Sequence, residues 1–310
     1  MGKRHEHDLV LAHDLRVMSR RRALWMFGAA AGAGAAAVAA GCATDSATEA
    51  ATTSTAATST ATPAAAPAET AGPYPGDGSN GPNVLIESGV VRSDITGSFG
   101  AYTGVADGVP LTIDLTLHDL AKGTLGAGMA LYLWHCDREG RYSLYSEGVT
   151  EQNYLRGVQV AGTDGKISFT SIFPACYDGR WPHLHFEVYD TLESAVAGDN
   201  ARLTSQIALP QDVCEAVYAH DSGYSASIPN LSAVSLDSDM VFGDGWDAEL
   251  ATVTGTPATG LTATLTIGVA EKSANTSPDN GAPAGPPPGG GTGARPPGPP
   301  PGGSRPQPGN

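Results

Sequence analysis

Between residues 109 and 270 the chain breaks into short stretches whose apolar and β-branched side chains recur at every second position. These stretches are 109–117, 129–136, 158–160, 166–173, 183–189, 203–209 and 251–270, with turn signals at Asp164-Gly165 and across 137–140. A period of two buries one face of a strand and cannot bury one face of a helix. Only 211–220, preceded by Pro210, has helical character, so no long helices separate the strands and no parallel, helix-covered sheet is expected. The expected fold is all-β: a β-sandwich of mostly antiparallel strands with the active site in loops and strand ends. No internal repeat is found.

The two ends of the chain are of another kind. Residues 281–310 hold 10 Gly and 11 Pro and cannot bury enough apolar surface to order themselves, so 271–310 reads as a disordered tail. Residues 43–70, rich in Ala, Thr and Ser, read as a disordered linker. The domain is placed at 71–270, enough chain for one sizeable core. Ahead of the linker, Arg20-Arg21-Arg22 leads an Ala/Gly-rich run that ends in Ala39-Ala40-Gly41-Cys42. Residues 1–42 therefore read as a twin-arginine export signal with a lipobox, Cys42 being the candidate for lipidation and simple release the alternative. The expected location is outside the cell, as a surface lipoprotein or a secreted protein, with any membrane contact made only through that lipid.

Removing the signal takes away six of 17 basic and three of 32 acidic residues, leaving a formal charge of −18 from 11 against 29. Such a surface repels phosphate backbones, so no nucleic-acid partner is expected. It also requires a local cation wherever an anionic substrate binds. Three cysteines stay in the exported part, and in an oxidising compartment one pair is expected. Cys176 with Cys214 is favoured, because a strand after 183–189 that ran back antiparallel would end near Tyr177; Cys136 with Cys176 is the alternative.

The chemistry gathers in Tyr177-Asp178-Gly179-Arg180-Trp181-Pro182-His183-Leu184-His185. On a strand, His183 and His185 point the same way and can share one ion. Upstream, the strand at 131–136 leads into a turn that ends on Tyr142. Two phenolates and two imidazoles, from Tyr142, Tyr177, His183 and His185, make a hard, anionic set suited to Fe(III), whereas zinc favours Cys, His and carboxylate. Four protein ligands leave room for a substrate with two adjacent hydroxyls. Trp134 is expected to pack in the core, and His135, on the opposite face, to be structural.

With these residues in place, the chain resembles the intradiol ring-cleavage dioxygenases. The resemblance runs through Gly72-Pro73-Tyr74, Arg92-Ser93-Asp94-Ile95, the 134–142 segment, Tyr154-Leu155-Arg156-Gly157, Phe173-Pro174-Ala175-Cys176-Tyr177 and His183-Leu184-His185. It implies a non-haem ferric enzyme that cleaves catechol-type aromatics with O2 between the two hydroxyl-bearing carbons, giving cis,cis-muconate-type diacids. It implies Tyr142 and His185 as equatorial ligands and Tyr177 and His183 as axial ones, with Tyr177 released as a catechol binds. Arg180 would stabilise the anionic ring and supply the local cation, while Tyr74 and Gln206 would line the substrate pocket. Cys176 and the short Tyr177-to-Arg180 spacing depart from the family's cytoplasmic members and imply a more open pocket; the N-terminal helical dimerisation domain of those members has no counterpart. An exported enzyme of this kind would meet plant-derived aromatics close to cell-wall or plant polymers. The rival expectation is a non-catalytic surface β-sandwich binding polysaccharide or aromatic ligands through exposed Trp181 and Tyr189.

Overall fold

A computed structural model describes residues 62–272 apart from Asp199. The segments read as export signal, as linker before residue 62 and as tail beyond residue 272, together with Cys42, lie outside the described residues.

The strands form where the alternation places them. They are β1 (Pro110–Asp119), β2 (Thr124–Leu125), β3 (Ala130–Trp134), β4 (Arg156–Val160), β5 (Lys166–Ile172), β6 (His183–Tyr189), β7 (Leu203–Ala208), β8 (Thr252–Thr256) and β9 (Gly260–Val269). Among the described residues three short α-helices accompany them: α1 (Leu192–Ala197), α2 (Gln211–His220) and α3 (Ser227–Ser232). One sheet runs β2-β1-β9-β8 with β5 also paired to β1; the other runs β4-β3-β6-β7 and is antiparallel throughout. The single parallel pair between named strands among the described residues is β1 with β9. The stretch 251–270 is thus two strands, folded back on each other at a turn where Gly260 takes a φ of +97°.

Burial follows the two-residue period in β1, where Leu111, Ile113, Leu115 and Leu117 are buried and their neighbours are more exposed. They join Leu131, Leu133, Leu184, Phe186 and Ile207 of the second sheet in one core. In β3, β6 and β7 both faces are buried. Register puts Trp134 beside His185, His185 beside Gln206, and Tyr132 beside Glu187. Since Leu131, Leu133, Leu184 and Phe186 point inward, Tyr132, Trp134, His183, His185 and Gln206 share the outer face.

That outer face is covered by an arm that the linker assignment split. Ala66 N–H donates to Gly268 O (2.9 Å) and Glu69 N–H to Thr204 O (2.7 Å), so residues 66–70 are docked on the domain although their composition reads as linker. Gln206 Nε2 donates to Thr70 O (2.9 Å), Tyr132 Oη to Pro75 O (2.6 Å), and Arg156 to Tyr74 O and Pro75 O (2.9 and 2.8 Å). The contacts are chiefly to backbone, which residue type does not reveal.

The expected Cys176–Cys214 disulfide is absent. Cys136, Cys176 and Cys214 are free and buried, and each thiol donates within its own surroundings: Cys136 to Ala175 O (3.7 Å), Cys176 to Arg180 O (3.4 Å) and Cys214 to Leu209 O (3.9 Å). Strand β7 does run back toward the Tyr177 loop, with Leu209 N–H on Pro182 O (3.2 Å). Burial pushes the Cys176 thiol up to about 12, which keeps it protonated near neutral pH.

His135 bridges the sheets. Its Nδ1–H donates to Cys136 O (2.8 Å), so Nε2 is the acceptor, taking the Ser171 hydroxyl of β5 (2.7 Å). Burial lowers its pKa to about 4 from 6.5. The folded state keeps it neutral while the unfolded chain protonates below 6.5, so its contribution is present above that pH and is lost as pH falls through 4. Between pH 7 and 4.5 the loss is about 2–3 kcal/mol. Urea unfolding at the two pH values should show this drop in the wild type, and a drop smaller by about that amount in His135→Gln.

Candidate metal centre

Four donor atoms converge where β6 begins. Tyr177 lies in the loop from β5 to β6, where Gly179 takes a φ of +78° that other residues rarely adopt and Arg180 N–H returns to Tyr177 O (3.3 Å). The loop is held from the side by α3: Cys176 N–H donates to Ser227 Oγ (3.0 Å) and Asn230 Nδ2 to Cys176 O (2.8 Å). Tyr142 follows β3 after a tight turn built on Asp137, which accepts Glu139 N–H, Arg141 N–H and the Arg141 guanidinium (3.0, 2.9 and 2.9 Å). Tyr142 N–H donates to Ser146 Oγ (2.9 Å), and its ring lies 5.2 Å from that of Tyr74 on the arm.

The polar tips form a closed ring. Tyr142 Oη lies 3.3 Å from Tyr177 Oη, which is 3.1 Å from His183 Nε2, which is 3.1 Å from His185 Nε2, which is 3.2 Å from Tyr142 Oη. Ligands ~2.1 Å from one ion and ~100° apart stand ~3.2 Å from each other. His183 Nδ1–H donates to Trp181 O (2.5 Å), so His183 Nε2 presents a lone pair to the ring. Desolvation first, then Arg180, holds His183 neutral; desolvation, then His183 and Arg180, does so for His185. Desolvation also pushes the Tyr142 phenol well up, so a phenolate forms here only against a strong cation. Among the described residues no three His, Cys, Asp or Glu side chains gather to hold a metal; an ion placed within this ring would be held by the two imidazoles and the two phenol oxygens. The donor set fits a hard trivalent ion.

The surroundings fix the ring. Trp134 stacks on the His185 imidazole, 5.1 Å between centroids and 5° between planes, and also stacks with Tyr132 at 4.9 Å. Gly72 lies against His185 Cε1, at a φ of +70°, and a Cβ there would stand 3.3 Å from that carbon. Arg180 is fully buried. Its Nε donates to Asp239 Oδ2 (3.0 Å) and its Nη2 to Gln206 Oε1 (2.7 Å).

The residues marked by sequence thus come together: Tyr142, Tyr177, His183 and His185 in the ring, Arg180 and Gln206 hydrogen-bonded to each other beside it, and Tyr74 against Tyr142. Sequence reasoning gives Asp239 no notice, and names Arg156 only within a motif, without a role. Arg156 is fully buried and ties Tyr132, Ser143, Tyr74 and Pro75 together, with its Nε on Ser143 Oγ (3.0 Å) and an Nη1 bond to Tyr132 Oη (3.1 Å). Asp239 sits in a low-complexity Ser/Asp stretch with no motif to mark it. Trp181 and Tyr189 are not exposed platforms. Both are buried, with the Trp181 indole N–H on Leu209 O (2.9 Å) and Tyr189 Oη on Glu187 (2.6 Å), which removes the surface proposed for polysaccharide.

Residues 92–214 match a family model described as dioxygenase. Over that segment the sequence is similar to the dioxygenase family, in keeping with the resemblance to the intradiol ring-cleavage enzymes. Chlorocatechol 1,2-dioxygenase of Rhodococcus opacus is 39% identical over 57 residues, a match spanning 18% of this chain and 22% of that protein's length. An intradiol ring-cleavage dioxygenase from Tetranychus urticae superposes with a TM-score of 0.51 at 21% identity, covering 67% of this chain and 95% of the other. The dioxygenase Tetur07g02040 does so at 0.52 and 21%, with the same coverage. These two likenesses concern the fold. Tyr142, Tyr177, Arg180, His183, His185 and Gln206 fall within the matched segment, while Tyr74 and Asp239 fall outside it.

Proposed function

We propose that this protein is an exported ferric intradiol dioxygenase that cleaves catechol-type rings with O2 between the hydroxyl-bearing carbons, releasing cis,cis-muconate-type diacids. The observation that carries the reading is the ring of Tyr142 Oη, Tyr177 Oη, His183 Nε2 and His185 Nε2, each donor 3.1 to 3.3 Å from the next. Those four side chains would hold Fe(III), which when bound supplies the Lewis acidity and electron acceptance that make a catecholate reactive toward O2.

The chain's own groups do the rest. Tyr177 Oη is the base that takes one catechol proton, and its loop, anchored at Cys176 and Arg180, lets the side chain turn while the backbone stays. Arg180 gives the developing anion a fixed cation in an acidic protein, and Gln206 keeps its guanidinium in one plane. Burial of the ring under the arm keeps bulk water from competing. Export rests on Arg20-Arg21-Arg22 and on Cys42, the candidate lipid site; the mass of the mature N-terminal peptide tests both, and a chain retaining residues 1–41 would overturn them.

Replacing Tyr177 with Phe should shift the visible absorption of the iron-loaded protein and lower kcat about 100-fold. Steady-state oxygen uptake with catechol checks this, and unchanged kinetics would remove Tyr177 from the role of base.

A further inference from the structure

The buried ion pair behind the metal ring joins two parts of the chain that the family match separates. Arg180 lies between Tyr177 and His183; Asp239 lies beyond residue 214, just before the 3-10 turn Phe242–Asp244. Both side chains are completely buried. Asp239 Oδ2 accepts Arg180 Nε (3.0 Å) and Trp181 N–H (2.7 Å), and its Oδ1 accepts the backbone N–H groups of Val241 and Phe242 (2.8 and 3.2 Å). Trp181 in turn offers its carbonyl to His183 Nδ1. One carboxylate therefore fixes the edge of the guanidinium and the backbone from which a metal-facing histidine is oriented.

The charge matters as much as the position. Paired with Arg180 at 3.0 Å where no water screens either group, the Asp239 carboxylate offsets much of the guanidinium charge, so little net positive charge is left for an anion beyond the catecholate itself. A catechol that binds through its two oxygens brings the same charge to the site whatever else its ring carries. A ring carboxylate adds one more negative charge, which meets Arg180 already engaged by Asp239.

We propose that Asp239 is a positioning residue for Arg180 whose buried negative charge sets substrate choice, favouring catechols with uncharged ring substituents over ring-carboxylated ones. This rests on the proposed ferric catechol site and adds to it the class of ring that the site accepts.

The test uses the full, iron-loaded protein under nitrogen, so that binding is read without turnover. Wild type, Asp239→Asn and Asp239→Glu are titrated with 4-methylcatechol and with 3,4-dihydroxybenzoate, following the change in visible absorption. The ratio of the two dissociation constants should favour 4-methylcatechol in the wild type. It should move toward the carboxylated ligand by about tenfold in Asp239→Asn, which removes the charge. Asp239→Glu keeps the charge, and its ratio should stay near that of the wild type even where both affinities fall. A purely structural role would weaken both ligands alike in both variants. The inference is overturned by an unmoved ratio in Asp239→Asn, or by an equal shift in Asp239→Glu. A wild-type protein that binds iron but neither ligand overturns the ferric catechol site itself, and the inference with it.

Discussion

Tyr142→Phe should leave a folded protein that has lost most of its catechol cleavage. The change deletes one oxygen from a ring of four donors and keeps the phenyl group packed against Tyr74 and His185, 5.2 and 6.1 Å between ring centroids, so stability should change little. Three donors remain, and the vacated place lies 3.3 Å from Tyr177 Oη and 3.2 Å from His185 Nε2, where water can enter. Iron affinity should fall at least about tenfold, by analogy with the loss of supporting groups around metals. The rate should fall by about 1,000-fold or more, because members of a cooperating set lose most of the set's effect when one is removed. Iron content and oxygen uptake measured on the same preparation check both, and a variant with wild-type iron and wild-type turnover would show that Tyr142 is no ligand.

Arg180→Met should be costly in two separable ways. With the guanidinium gone, Asp239 is left as a buried carboxylate whose remaining donors are the Trp181, Val241 and Phe242 amides. Breaking a buried pair by removing one partner costs about 3–5 kcal/mol, which for a domain of this size lowers Tm by roughly 10 °C. Catalysis should fall by about 100- to 1,000-fold in kcat/KM, the scale set by losing one preorganised electrostatic group. The double variant Arg180→Met/Asp239→Asn should recover much of the stability and none of the activity. Calorimetry and oxygen uptake on the three proteins separate the two effects; recovery of activity in the double variant would place Arg180 outside the chemistry.

Much of the molecule was legible because it obeys a period of two. Strand β1 shows the alternation cleanly, and β6 declares itself through His183-Leu184-His185, where polar and apolar positions separate the metal side from the core. The ligand set was legible for the same reason: strand geometry puts the two histidines on one face, and chain order supplies two tyrosines from flanking loops. What sequence concealed depends on contacts between distant segments. Asp239 and Arg180 are 59 positions apart and meet only because α2 and α3 bring the chain back over the Tyr177 loop. The arm from residue 66 to 70 looks like linker because it docks through main-chain groups. Trp181 and Tyr189 read as surface platforms in the rival expectation; the partners that bury them, Leu209 O and Glu187, come from the fold. The cysteines mislead in a third way. Three thiols come to lie buried, and each is satisfied by a carbonyl in place of a second sulfur.

The central claim is that Tyr142, Tyr177, His183 and His185 hold one ferric ion for ring opening. Oxygen consumption by the iron-loaded protein with 4-methylcatechol, with the product weighed by mass spectrometry, tests it most directly. The account predicts one O2 consumed per ring and a ring-opened diacid heavier than the substrate by both oxygen atoms. A protein that carries iron but consumes no oxygen, or a product with its ring intact, would contradict it.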